Sequence, residues 1–385
     1  MTVCAIEAAA KDDGSLARTD FVIAADGAYA ARLAGEGEAL FPERWTLSGP
    51  EPYAVPLPLR QPEDPHAQLL PLVDGRVLIA RRAGGRFVFS LLYPTGPGTG
   101  ELSLGSVEAA SLRLLPPSPE GTRAYATVTG ERSTTVWLVA GGTFGPERVA
   151  EVEGRCSGGV WLDRTGRMLA LDRRQDGGPV KTVAVDLRRG GETTPLLQIT
   201  EESNDRLLLA DADSGLLLIR SDAPSPGHDR LGWGVLGSTR PVRFPDCLRP
   251  ADVAVTPFAV QPGQVLMPEG CSVALRIDGA AGSWVGVWRP SGRRLHQLAA
   301  PPGWLPGTGL WTREGVLQLP CATRAVRCAL ARWEMPAPAP ASVAVTQPAQ
   351  PECAGGEPSA DGTTPGVCRP VPLQQAPLTG RTARG

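Results

Sequence analysis

"WLDRTGRMLALDRR", residues 161–174, is two apolar runs around a tight polar turn, Asp163-Arg164-Thr165-Gly166. Glycine at the end of such a turn supplies a positive φ that other residues adopt only at a cost. The stretch is therefore either a lone β-hairpin or one copy of a repeated unit, and the rest of the chain decides between them.

The same shape recurs. "FVIAADGAYAARL" turns at Gly27, "LLPLVDGRVLIARR" at Gly75 and "LRLLPPSPEGTRAYATV" at Gly121. "LLLADADSGLLLIR" turns at Gly215, "VTPFAVQPGQVLM" at Gly263 and "GLWTREGVLQLP" at Gly315. With Gly166 these glycines lie 48, 46, 45, 49, 48 and 52 residues apart, a regularity that fits a repeat and not scattered hairpins. Some 14 to 25 residues after each glycine comes a third apolar run, often carrying tryptophan, as at Trp45, Trp137, Trp233, Trp284, Trp288 and Trp333. A shorter fourth run often follows, as in "PERVAEV", "TPLLQIT" and "RLHQLAA".

Four strands in about 45 residues is the signature of a propeller blade. Seven copies predict an all-β, seven-bladed β-propeller of four-stranded antiparallel blades over residues 1–335. Blade faces stack on one another, so Trp137, Trp161, Leu169 and Trp233 are expected in the core. Blade seven runs out after three strands. The N-terminal stretch Thr2–Ala8 is the preferred strand to complete it and close the ring, with Ser342–Gln347 as competitor. Residues 336–385 are rich in Pro, Ala and Gly, with few large apolar residues, and are expected to be a disordered tail.

Composition narrows the function classes. The net charge of −2 gives no global basic field, and no basic patch is interleaved with aromatics, so nucleic-acid binding is not expected. The start lacks the charged and apolar regions of a secretory signal, and no apolar run approaches the roughly 18 residues of a membrane span. The expectation is a cytoplasmic monomer. Only Lys11 and Lys181 are lysines, an arginine bias that fits a GC-rich bacterial genome. The eight cysteines form no C-x-x-C pair and are expected to be reduced, small hydrophobes in strands; no metal or cofactor is expected.

"SPEGTRAYATV", residues 118–128, resembles the SPDG-type signature of TolB-like, WD-repeat-like propellers. It is also similar to the propeller domain of prolyl-oligopeptidase-family peptidases. The resemblance covers about residues 10–335 and implies the fold, not an activity. Peptidases of this kind carry a hydrolase domain with a G-x-S-x-G elbow. The nearest string here, Gly270-Cys271-Ser272-Val273-Ala274, sits in a strand-rich unit with only His296 after it, so the chain reads as a propeller without that domain. "GPGTG", residues 96–100, lacks the following Lys-Ser/Thr and helix of a phosphate loop and reads as a turn.

Two functional readings follow. In a propeller, the loops from second to third strand and from blade to blade share one rim. Here they carry Arg81, Arg82 and Arg86, Asp172, Arg173 and Arg174, Lys181, His228 and Arg230, Arg324, and the linkers with Glu63, His66 and Asp205. The first reading is a non-catalytic binding or scaffold propeller whose arginine-rich rim, with Arg82, Arg173, Arg174 and Arg230 as ligand-binding residues, meets a protein partner or small anionic ligand. The alternative is a propeller enzyme, lactonase-, lyase- or cyclase-like, with His228, Asp172 and His66 as acid–base residues in a central funnel.

Overall fold

The computed structural model describes residues 21–334, which form a seven-bladed β-propeller. Every blade is antiparallel and runs in chain order from its first strand outward. Blade four shows the rule. Its first strand, Arg155–Trp161, pairs with Met168–Arg174, which pairs with Val180–Asp186, which pairs with Glu192–Leu197. The hairpin at Gly166 is thus the first two strands of a blade. All seven turn glycines lie between the first and second strands, and all have φ between 64° and 89°.

Five blades carry four strands, and blades five and seven carry three among the described residues. In blade five the expected fourth strand shrinks to one bridge, Trp233 to Arg243. The chain then turns at the 3-10 helix Asp246–Leu248 instead of extending along the edge. In blade seven the strands are Leu310–Trp311, Val316–Cys321 and Ala329–Glu334. Both sequences expected to complete that blade, and the C-terminal tail, lie outside the described residues. No helix of the described residues is long and apolar enough to cross a membrane.

The core is divided as the architecture demands. Alternate residues of a strand face opposite sides of its sheet, so each blade feeds two interfaces. Leu169 and Leu171 pack toward blade three with Val136 and Val152, whereas Ala170 packs toward blade five with Leu207 and Leu217. Seven buried clusters result, one between each pair of neighbouring blades. The last joins Phe21, Ala30 and Trp45 of blade one to Ala322, Leu310 and Leu330 of blade seven, so side-chain packing already links the two ends of the ring. Trp161, Leu169 and Trp233 are buried as expected, and Trp137 is half-buried between blades two and three.

The cysteines within the described residues are all free thiols. Cys156, Cys271 and Cys321 are buried in strands or against them. Burial raises the Cys156 and Cys271 thiols to about 11 and the half-buried Cys328 to about 12, which suppresses the reactive thiolate. Variants retaining only Cys156, Cys271 or Cys321 are therefore expected to react with a thiol reagent such as DTNB only after denaturant is added. Rapid labelling of the folded protein would contradict the packing described here.

Candidate functional site

The first strand of each blade lies at one end of its sheet and pairs on one side only, so its other edge faces the axis. First-strand residues of blades one, two, three and six, with rim loops, line a funnel of about 2060 Å³. Its wall is drawn from blades one, two, three, six and seven and includes Arg32, Arg82, Arg113, Arg276 and Arg324. The lining holds one aspartate, Asp278, and one histidine, His66.

These arginines divide into two kinds. Arg32 is buried and its Nε donates to Glu43 Oε2 at 2.8 Å; the Trp45 indole donates to the same oxygen. The Arg32 guanidinium lies 5.0 Å from the Trp45 ring centre, which completes a neutralised, immobile unit in the wall. Arg276 Nε donates to Asp278 Oδ1 at 2.7 Å, and the Ser283 hydroxyl donates to that same carboxylate. By contrast Arg82, Arg113 and Arg324 are exposed, and among the described residues none makes an ion pair. Low-dielectric walls focus the field of such uncompensated charges into the cleft.

The wall also carries an aromatic pair. Phe258, on the first strand of blade six, and Trp304, in the linker to blade seven, hold ring centres 5.7 Å apart at a tilt of 48°. The Trp304 indole donates to the Thr308 carbonyl at 2.9 Å, which fixes the ring.

The residues singled out from sequence are not gathered in one place. Arg82 and His66 line the funnel, His66 as an exposed residue of the linker into blade two. His228 is exposed in the loop between the second and third strands of blade five, outside the funnel lining. Arg174 is exposed at the end of its strand, and Arg173 is half-buried on the face toward blade three, where its stem would meet a side chain at Gly154. Arg230 holds blade five's irregular edge, donating to the Phe244 carbonyl and to Asp246 Oδ1 at 2.8 Å.

Asp172 is buried between blades four and five, where its carboxylate accepts from the Leu207 N–H at 3.1 Å and the Thr182 hydroxyl at 2.8 Å. Burial pushes its carboxyl above the usual range, against the pull of those donors. No group of three or more metal-ligating side chains stands together among the described residues.

Other rim charges fasten blades. Arg81 forks onto Glu63, with both contacts at 2.8 Å, and reaches Glu101 at 2.7 Å. Lys181 Nζ lies 2.9 Å from Asp205 Oδ2, joining blade four to blade five. The opposite rim is fastened too: the Arg164 guanidinium pairs with Asp213, whose carboxylate also accepts from the Gly263 N–H at 2.8 Å, linking blades four, five and six.

Arg167 bonds Asp186 within blade four and holds that carboxyl down at about 2. The ordinary value is 3.8, so this contribution is present above about pH 3.8 and is lost as pH falls through about 2. The Arg164 pair lowers Asp213 in the same direction. Acid unfolding followed by circular dichroism is expected to steepen below pH 3.8 for the wild type, and less so for Asp186→Asn. Identical acid profiles would remove this pair from the account.

Sequence reading missed Arg113, Arg276, Phe258 and Trp304. A signal was present for Arg113: it is the one charged residue in the apolar first-strand run "LRLL", exposed between the buried Leu112 and the half-buried Leu114.

No family profile matches the sequence, and no curated protein matches it either. Solved structures match by shape. Prolyl oligopeptidase B from Galerina marginata aligns at TM-score 0.52 and 12% identity, over 84% of this chain and 49% of that one. The β-propeller domain of the Trilobed protease from Pyrococcus furiosus aligns at 0.50 and 11%, over 83% of this chain and 94% of that one. TolB from Acinetobacter baumannii aligns at 0.36 and 14%, over 58% of this chain and 55% of that one. The chain spans about half the length of the prolyl oligopeptidase it matches. The first two likenesses establish a seven-bladed propeller of the kind found in these peptidases, and they speak to the fold alone.

Proposed function

We propose that this chain is a non-catalytic binding propeller that presents the arginines of its funnel to an anionic ligand or an acidic partner surface. The observation that carries the reading is the set Arg82, Arg113 and Arg324: three exposed guanidinium groups on one cavity wall, none in an ion pair among the described residues. A guanidinium fork matches carboxylate and phosphate oxygens. The acid–base alternative finds less support. Asp172 is turned to a buried strut between blades, and the lining carboxylate Asp278 is already held by Arg276 and Ser283.

The test uses the contrast between local and net charge. The protein carries −2 overall, so retention on a heparin column at neutral pH requires a local positive surface. Wild type is expected to be retained at low salt. The triple variant Arg82→Glu, Arg113→Glu, Arg324→Glu is expected to elute in the flow-through. Equal retention of the two would overturn the reading.

A further inference from the structure

We infer that the occupant of the funnel is an extended acidic polypeptide segment and not a small anion. This rests on the anion-binding reading above and adds the chemical class of the ligand.

Size points this way first. Sites for small molecules run to roughly 300–1,000 Å³. The funnel, at about 2060 Å³, would leave a single small anion largely in solvent.

The spacing of charge points the same way. Arg82 and Arg113 lie on neighbouring blades two and three, whereas Arg324 lies on blade seven. Blade one separates them, and its own Arg32 is already neutralised by Glu43. Uncompensated charge therefore occurs in two places with a gap between. Two anionic groups set apart along a chain can meet both.

The remaining wall suits polypeptide chemistry. The half-buried Phe258, backed by the buried Trp304, offers an apolar surface for a side chain lying between acidic residues.

The experiment is fluorescence anisotropy with a fluorescein-labelled peptide of alternating Glu and Phe, about a dozen residues and ~40 Å when extended. Citrate and tripolyphosphate serve as small-anion competitors. Wild type is expected to bind the peptide, and citrate and tripolyphosphate to displace it only at concentrations far above the peptide's own Kd. Arg82→Glu and Arg324→Glu are each expected to weaken binding by about 10-fold or more, the loss of one charge-assisted contact. Arg174→Glu makes the same charge change outside the funnel and is expected to leave the affinity within about two-fold, as its exposed distant charge is screened. All three side chains are exposed, so folding is checked once by circular dichroism.

Tight binding of tripolyphosphate or citrate, sensitive to Arg82→Glu and equal to that of the peptide, would overturn the polypeptide inference and leave the anion-binding function standing. Peptide and small-anion binding that all ignore Arg82→Glu and Arg324→Glu would overturn both. A loss with Arg174→Glu as large as with Arg82→Glu would remove the funnel as the site.

Discussion

Asp205→Ala is expected to lower the unfolding free energy by about 3–5 kcal/mol, the cost of breaking a buried ion pair from one side. Asp205 has no exposed surface, and the Lys181 side chain is 16% exposed. The carboxylate gathers the Lys181 ammonium, the Ser203 and Ser221 hydroxyls and the Ile199 N–H, with the Ser221 contact at 2.6 Å. Removing it takes the counter-charge from a largely buried ammonium, which keeps only the Thr200 and Ser203 oxygens, and takes the acceptor from the Ser221 hydroxyl and the Ile199 N–H. Urea unfolding followed by tryptophan fluorescence measures the loss.

The neighbouring carboxylate sharpens the test. Asp172 also lies in that junction, but burial raises its carboxyl above 3.8, so its charged form is the unfavourable one. A raised folded value contributes stability that is present below the unfolded value and is lost as pH rises through the folded one. Asp172→Asn keeps an acceptor for Thr182 and Leu207 and removes the buried charge. At pH 7 it is expected to be as stable as wild type or more so, with wild type gaining on it in acid. If Asp205→Ala were as mild as Asp172→Asn, the Lys181–Asp205 lock would not be what fastens this junction.

The fold was legible because a propeller repeats its instructions. Seven glycines at near-constant spacing, each after a polar turn, are a signal that survives when any one blade drifts, and all seven sit where that reading puts them. Blade five departs where the local sequence does: "GSTRPVRFPD", residues 237–246, has two prolines where an edge strand would run, and only the Trp233–Arg243 bridge remains. The site was less legible, because sequence names the rim but not the pairing across it. Arg81, Arg82 and Arg86 look alike in the chain. Only the fold shows that Arg81 is consumed by Glu63, 18 positions away, whereas Arg82 faces the funnel. Asp172 and Lys181 likewise read as rim chemistry until the neighbouring blade supplies their partners.

The turn glycines are not equivalent, and the second large effect follows from that. Gly121→Ala is expected to cost about 2–5 kcal/mol, from a left-handed backbone penalty of about 1–2 and overpacking of about 1–3. Gly121 has φ +69°, and a Cβ there would overlap Cγ1 of Val73 in the turn of blade two. That neighbour cannot step aside with its turn, because the Val73 N–H donates to the Gly121 carbonyl at 3.1 Å and clamps the two turns together. Gly166, the glycine of the hairpin at residues 161–174, has almost the same φ, +64°, but its nearest neighbour would be Pro119 Cδ at 3.7 Å, an ordinary contact. Gly166→Ala is therefore expected to show the backbone penalty alone, about 1–2 kcal/mol. The difference between the two variants in one urea titration isolates the contact between blades two and three from the conformational demand of the turn. Equal losses would mean that the turns are glycine for φ only, and that the ring does not depend on their approach to one another.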